Sequence, residues 1–366
     1  MLCAVSAAVL TFDSEEVFGA VKKGCALCAD TIIPSVFPFL FLSLFIVKCG
    51  LAKAAGEILA PVTEKVFCLP GCAGAVIITS LVGGYPAGAQ MAAQLCAENN
   101  ISREQFEKLM CFCVCAGPAF LIQTIGRCFF GSGAAGFILL AAQTVSCLLL
   151  GIFACRAPVL GFKERFFIQT KRKNNPLSFS AEVFSDCAAR SASAMLNICA
   201  YVVIFSVVGV ILSKTGVAGL VSSVLYAITK NKEISAAFLP AVCDTASGSA
   251  AACRAGLLFA SFALVFGGFC VHFQIFSFCA GLKLNKLRFF VFRVLAGLLS
   301  ALITRLLLVF FPIVSTAAAQ EQRQMSFSSV SRSGSAAVMV MCLAAVIMLP
   351  DMQNKIKSLD RQGFSN

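Results

Sequence analysis

The stretch GCAGAVIITSLVGGYPAGAQMAAQL, residues 71–95, decides how this sequence folds. It carries no charged residue and is long enough for a helix across a bilayer core of about 30 Å, which needs about 20 apolar residues. Gly83, Gly84, Pro86 and Gly88 nevertheless interrupt it. Gly and Pro break the helical hydrogen-bond ladder, and freed backbone groups cannot face lipid. The stretch therefore predicts a broken membrane helix that is buried in protein or lines a wet cavity.

The composition of the whole chain also requires a membrane. Of its 366 residues, 59% are hydrophobic and 13% are charged, and the mean hydropathy is +0.90. Soluble domains carry about 45–50% apolar and about 25% charged residues. The net charge of +12 lies in short segments between apolar stretches, as in cytoplasmic loops. We predict a multi-pass protein of the inner (cytoplasmic) cell membrane, which excludes Rossmann enzymes and nucleic-acid-binding modules.

Hydropathy divides the chain into five regions. Residues 1–30 form an N-terminal apolar and interfacial segment, and 31–155 a first membrane repeat. Residues 156–193 form a basic loop predicted to be cytoplasmic, 194–312 a second membrane repeat, and 313–366 a linker, a weak last span and a polar tail. We expect an all-α fold with about 8–10 membrane segments, some of them broken or re-entrant.

The interruption at residues 83–88 has a counterpart in the second half. The sequence DTASGS, residues 244–249, interrupts an otherwise apolar stretch, and a third element follows each break, CAGP at 115–118 and GGFC at 267–270. Matched interrupted segments in two halves are the best sequence indication of a transporter-like binding site. The alternative is that these small residues only allow close helix packing.

The polar and small residues of these segments are the candidate solute-binding residues. They are Gly83, Gly84, Tyr85, Pro86, Gly88, Gln90, Asn197, Asp244, Thr245, Ser247, Gly248, His272 and Gln274. A carboxylate at membrane depth costs about 2.5–3.5 kcal/mol and usually marks function. We expect Asp244 to recognise a hydroxyl, an amine or a cation, unless it lies hydrated near an interface. Helix breaks are predicted at Pro34, Pro38, Gly117 and Pro118.

Two further regions contribute to these expectations. Residues 109–125 are predicted to form a span of the first repeat. Arg293 lies near the start of the apolar stretch 289–311, where a long basic side chain is expected to snorkel to the interface.

The sequence provides little for catalysis or for cofactors. It contains one histidine and lacks the GxSxG, P-loop and HExxH patterns, so we predict no enzyme and no catalytic residue. Cys25 and Cys28 have CxxC spacing without a second pair, and we predict neither a metal nor a cofactor. The 20 cysteines are best explained as small apolar residues.

Several motifs together resemble a known family. They are FPFL at 37–40, GGYPAGA at 83–89, GPAF at 117–120 and SFALVFGGF at 261–269, followed by Gln274. Between about residue 33 and residue 308, the chain resembles the sporulation integral membrane protein (YlbJ-type) family of the nucleoside-recognition (Gate-domain) superfamily. The resemblance implies two Gate-type repeats, similar in outline to concentrative nucleoside carriers, and an association with endospore formation. The chain departs from the family pattern at Gly117, where relatives tend to carry Asn, and at Asp244, where they tend to carry Glu.

Two functions fit these observations. The first is a transporter or gated permease for a small polar solute, nucleoside-like if the resemblance extends so far. The second is a non-transporting scaffold or assembly factor of the sporulation septum or spore envelope, whose basic loop binds a partner or anionic lipid. Membrane lipid and a small polar solute are the predicted partners. Nucleic acid is not, and self-association or other sporulation membrane proteins stay open.

Overall fold

The computed structural model describes residues 13–156, 180–282 and 284–312, and their regular structure is helical. The first half contains α1 (Ser14–Leu27), α2 (Ile33–Lys48), α3 (Leu51–Phe67), α4 (Cys72–Gly83), α5 (Tyr85–Ala97), α6 (Arg103–Met110) and α7 (Gly133–Arg156). The second contains α8 (Ala181–Lys214), α9 (Val217–Thr229), α10 (Lys232–Cys243), α11 (Thr245–Arg254), α12 (Leu257–Phe266), α13 (Gly268–Phe278) and α14 (Lys286–Phe310). Two segments, Cys28–Ile32 and Phe120–Phe129, are π-helical.

Five helical runs are long and apolar enough to cross a membrane. They are Ser14–Lys48, Gly133–Arg156, Ala181–Lys214, Leu257–Phe278 and Lys286–Phe310. The pair α3 and α4, bent by 85° at a short break, makes a sixth if the two count as one span. The all-α, multi-pass prediction is confirmed. Within the described ranges the long spans are fewer than 8–10, because several apolar stretches are short helices that meet at breaks.

The first span differs from its prediction. A continuous helical run of 35 residues extends from Ser14 to Lys48, where an interfacial segment and a separate span were expected. Neither Pro34 nor Pro38 ends it. The π-helical segment Cys28–Ile32 ends two residues before Pro34, which lies in the first turn of α2, where a missing N–H is tolerated. A widened turn, rather than a break, therefore accommodates this proline.

Residues 109–125 do not form the predicted single span. The helix α6 ends at Met110, residues 113–117 have no helical structure, and the π-helical segment Phe120–Phe129 follows. Pro118 accounts for the interruption, because the residue before a proline is disfavoured in the helical conformation. The breaks predicted at Gly117 and Pro118 thus lie where the chain resumes a helix.

The predicted basic loop 156–193 is shorter than expected. The helix α8 begins at Ala181, and the Ser180 side chain caps it by accepting a hydrogen bond from the Val183 amide at 3.2 Å. Most of this loop, the first 12 residues and the linker, last span and tail predicted for 313–366 lie outside the described residues.

The helices of the two halves follow a similar order of lengths. Each half starts with a long run, of 35 and 34 residues, and ends with a single helix of 24 and 25 residues. Between them, a 12-residue helix leads in each half to a one-residue break, at Gly84 after α4 and at Asp244 after α10.

An apolar cluster connects the segments that border these breaks. It contains Ala116 from the first half and Ala241 and Leu264 from the second, with Tyr85 packed against it. The last helix, α14, packs against both α7 and α12. The broken helices of the two halves therefore share one interior.

Candidate functional site

The first break is built by close backbone approach. Gly84 separates α4 from α5 with φ +86° and ψ 178°, a conformation that is essentially restricted to glycine. A Cβ atom on Gly117 would lie 3.7 Å from the Cα of Gly84, so the two breaks of the first half are in contact. A Cβ on Gly88 would lie 2.6 Å from the Ser80 Cβ and 2.9 Å from the Cys113 carbonyl oxygen. Glycine at these positions lets two half-helices approach the non-helical segment 113–117.

The second break lies at Asp244, whose carboxylate caps the helix that follows. Asp244 is 2% exposed, and its carboxylate accepts hydrogen bonds from the Ala246 amide at 3.3 Å and from the Ser247 amide at 2.9 Å. This is an N-cap, in which a side-chain oxygen satisfies the free amides of the first helical turn. The contact assigns Asp244 a role in starting α11. Its recognition of a solute stays a prediction.

The second break also touches its third element. A Cβ on Gly268 would lie 3.0 Å from both the amide nitrogen and the Oγ1 of Thr245. The Thr245 hydroxyl is buried, with the Tyr85 hydroxyl as its polar neighbour. In both halves, therefore, the helix break and the following glycine element meet.

Tyr85 connects the two halves. It is the first residue of α5, and its hydroxyl donates a hydrogen bond to the Leu264 carbonyl oxygen on α12. Its Cε1 lies 3.5 Å from the position of a Cβ on Gly267, and its hydroxyl neighbours the Thr245 hydroxyl and the Arg293 guanidinium. We call this meeting point of residues 83–88, 113–118, 244–248 and 264–268 with Arg293 the break junction.

Arg293 is the residue that the sequence interpretation missed. It does not snorkel: it is 0% exposed and lies about 10 Å along α14 from Lys286. The side chains at i−4 and i+3, Phe289 and Ala296, are also buried, so this face of α14 is directed into the protein. The hydropathy pattern gives the depth of a residue in a span but not the direction of its side chain.

The Arg293 guanidinium is only partly satisfied. Its Nε donates to the Phe266 carbonyl oxygen at 3.3 Å, and the His272 Nε2 lies 3.0 Å from the same oxygen. Apart from the Cys147 thiol on α7, a weak acceptor, Nη1 and Nη2 have no hydrogen-bond partner in the described part of the chain, and no carboxylate forms an ion pair with them. A buried arginine with two donors that lack an oxygen acceptor is thus aimed into the break junction.

Gln143 provides an internal comparison for Arg293. Its Oε1 accepts from the Ala116 amide at 2.8 Å and its Nε2 donates to the Ala116 carbonyl at 2.9 Å. Ala116 precedes Gly117, as Phe266 precedes Gly267, and each polar side chain follows the residue that it holds by 27 positions. Gln143 is satisfied by this contact, whereas Arg293 keeps two donors and a positive charge. A neutral glutamine is enough to hold the first break in place, so this role alone does not explain why residue 293 is an arginine.

Replacing Gln143 by leucine should lower the free energy of unfolding by about 2–6 kcal/mol. Both backbone groups of Ala116 lose their partner, and each buried unsatisfied group costs about 1–3 kcal/mol. Thermal unfolding of the detergent-purified protein measures the effect. Gln94→Leu is the control, because the Gln94 side chain bonds only to Glu98 at an exposed position and should change stability by less than about 0.5 kcal/mol. Equal melting temperatures for the two variants would contradict the assigned role.

Most of the predicted solute-binding and helix-break residues lie at the break junction, and the others lie elsewhere. The residues at or bordering the break junction are Gly83, Gly84, Tyr85, Pro86, Gly88, Gly117, Pro118, Asp244, Thr245, Gly248 and His272. Gln90 instead accepts a hydrogen bond from Ser43 on α2, and Gln274 donates to the Cys270 sulfur. Asn197 is exposed on α8, and Ser247 is exposed while its amide caps onto Asp244.

These features define a multi-pass helical membrane protein whose broken helices meet at a buried and partly unsatisfied polar centre. The chain is similar to the sporulation integral membrane protein YlbJ of Bacillus subtilis (strain 168), with 25% identity over 320 residues, which cover 79% of this chain and 77% of the relative. No protein-family model matches the chain. No solved structure matches it either.

Proposed function

We propose that this protein is a transporter or gated permease of the inner cell membrane for a small solute that carries a negative charge. The single observation behind this proposal is the buried Arg293 guanidinium, whose two Nη atoms have no oxygen acceptor and no carboxylate partner among the described residues. A buried charge without a partner costs several kcal/mol, and charged residues inside membrane proteins commonly mark solute pathways. An anionic group of the solute supplies the missing partner.

Two helix N-termini near Arg293 favour the same charge. The helix α5 starts at Tyr85, which neighbours the guanidinium, and α13 starts at Gly268, next to Gly267, whose Cβ position lies 3.8 Å from an Arg293 Nη. Helix N-termini carry a partial positive charge. Transporters direct the N-termini of discontinuous helices at the anionic groups of their substrates. The guanidinium fork adds bidentate recognition of a carboxylate or phosphate.

The internal repeat supports transport rather than packing alone. We infer that the halves are two Gate-type repeats for two reasons. Their helix lengths follow one order, and the contacts of Gln143 with Ala116 and of Arg293 with Phe266 each span 27 residues. Repeats of this kind commonly enclose a solute site at their interface. The name of the Bacillus subtilis relative supports a role during endospore formation.

The proposal changes the expected charge of the solute. The sequence suggested that Asp244 binds a hydroxyl, an amine or a cation, but its carboxylate already accepts two amide hydrogen bonds. Arg293 has donors that lack an oxygen acceptor and Asp244 is engaged in a cap. A nucleoside-like solute fits this site only if it carries an anionic group such as a phosphate.

Solute-dependent thermal stabilisation of the detergent-purified protein tests the proposal. The panel contains small carboxylates, phosphates, neutral nucleosides, and amines and metal cations. A ligand that binds only the folded state stabilises it by about 2.7 kcal/mol at a concentration of 100 times its Kd. We expect this for anionic compounds alone, in the natural protein and in Asp244→Asn.

Two other results would each redirect the assignment. Stabilisation by amines or cations that is lost in Asp244→Asn would make the break junction a cation site. No stabilisation by any class would favour the scaffold function.

A further inference from the structure

An ion pair joins the two halves at one end of α14. The Arg288 Nη1 lies 3.3 Å from the Glu107 Oε2, and the two side chains are 22% and 17% exposed. Arg288 is in the first turn of α14, and Glu107 is on α6 of the first half. A second cation on α6, Arg103, has its Nε 3.8 Å from the other oxygen of Glu107. Glu107 therefore has one basic partner in its own half and one in the other.

The seam beneath this ion pair is narrow. A shallow indentation there is lined by Glu107, Met110, Cys111, Leu284, Asn285, Arg288 and Phe289, and it has no room for a water molecule. Cys111 is 2% exposed and Phe289 is 1% exposed, so the indentation is closed at its inner end. Phe289 forms this inner wall.

The inner wall leads towards the break junction. Phe289 and Arg293 are four residues apart, so they lie on one face of α14 about one turn from each other. The Phe289 ring packs edge-on against the His272 ring with 5.2 Å between their centroids, and His272 shares the Phe266 carbonyl with Arg293. Neighbouring contacts therefore connect the indentation beneath the ion pair, through the Phe289 and His272 rings, with the Arg293 guanidinium.

The two arginines suit an anion. Arg288 and Arg293 are about 7.5 Å apart along the helix axis and about 140° apart around it, so Arg288 lies at the surface end and Arg293 in the interior. An anion that enters at this end first meets Arg288, whose guanidinium is occupied by the Glu107 carboxylate. A carboxylate or phosphate of the solute has the same chemistry as Glu107 and competes with it, and Arg103 is in place to receive Glu107 when it is displaced.

We propose that Glu107 and Arg288 form a gate over the entrance to Arg293, opened when an anionic solute displaces Glu107, with Phe289 as the apolar barrier behind it. This inference rests on the proposed transport of an anion. It assigns the path to the site and identifies the contact that must break during the transport cycle.

The Cys111 thiol is a natural reporter for this gate. A small polar thiol-modifying reagent is applied to the purified full-length protein, and modification of each cysteine is followed by peptide mass spectrometry. In Glu107→Gln we expect Cys111 to react about tenfold faster than in the natural protein, the change that about 1.4 kcal/mol in an opening equilibrium produces. Arg288→Gln removes the other partner and should give the same result.

Glu104→Gln is the matched control. Glu104 lies on the same helix and pairs within it, with Lys108 at 3.4 Å, so its loss should leave the reactivity of Cys111 unchanged. Cys187, 0% exposed on α8, reports general unfolding. Unchanged reactivity of Cys111 in Glu107→Gln, or an equal rise in Glu104→Gln or at Cys187, would overturn the gate.

The transport proposal and the gate fail in different ways. Combined with Arg293→Gln, the Glu107→Gln change should still accelerate modification of Cys111, because opening of the seam does not need solute. Loss of solute binding with this acceleration intact would refute the anion site alone, whereas bound anion without acceleration would refute the gate alone.

Discussion

The Arg293→Gln protein should melt no lower than the natural protein in the absence of solute, and it should lose stabilisation by anions. Glutamine can donate to the Phe266 carbonyl, as Gln143 does to the Ala116 carbonyl, so the hydrogen bond that holds the residue before Gly267 is retained. The substitution removes a buried positive charge that no described carboxylate balances, and such charges cost several kcal/mol. A residue present for stability alone would show the opposite result.

The effect on binding should be large. Removing one partner of a buried charge pair costs about 2–5 kcal/mol, which is about 30-fold to 5,000-fold in affinity. Melting curves of both proteins across a concentration series of the best anion measure this difference. Arg305→Gln is the control, since Arg305 is exposed on the same helix and its loss should change neither stability nor binding. A fall of several kcal/mol in the stability of solute-free Arg293→Gln would make this arginine structural.

Local signals in the sequence predicted much of the fold. The apolar composition gave a multi-pass helical protein, and the glycines at residues 83–88 located the break at Gly84. These features depend on hydropathy and backbone freedom, which are properties of the residues themselves.

Features that depend on packing were not predictable in this way. Residues 109–125 are as apolar as a span, but Pro118 and the two hydrogen bonds of Gln143 hold a non-helical segment there. Arg293 was expected at the interface because its distance from the helix end allows it, whereas its direction depends on which neighbours cover that face. Its spacing of 27 residues from Phe266, matching that of Gln143 from Ala116, was the available signal.

Asp244 shows a related limit. The sequence identified an acid within an apolar stretch, and the structure places it there, 2% exposed. The order Asp-Thr-Ala-Ser is also that of an N-cap followed by a first helical turn. Burial and capping act together here, because two amide hydrogen bonds offset much of the cost of placing the carboxylate in the interior. The residue type of Asp244 therefore indicated a solute site in the sequence, whereas its hydrogen bonds show that it caps α11.

A large loss of stability should follow from Gly248→Ala. A Cβ at this position would lie 2.6 Å from the Pro240 carbonyl carbon and 2.7 Å from the Ala241 Cα, both in the backbone of α10. Overpacking typically costs about 1–3 kcal/mol, and we expect at least about 3 kcal/mol here because no flexible side chain can move aside. The change separates α10 from α11, so Thr245 and the cap at Asp244 lose their positions at the break junction.

Gly219→Ala measures the same chemical change without the close approach. Gly219 lies inside α9, and a Cβ there would meet nothing within 4 Å. Alanine is favoured over glycine within a helix by about 0.5–1 kcal/mol, so this variant should melt slightly higher than the natural protein. Thermal unfolding and the yield of monodisperse protein in detergent compare the two variants. If Gly248→Ala melted as high as Gly219→Ala, the contact between α10 and α11 would not be what positions the second break, and the arrangement of the break junction around Arg293 would need another cause.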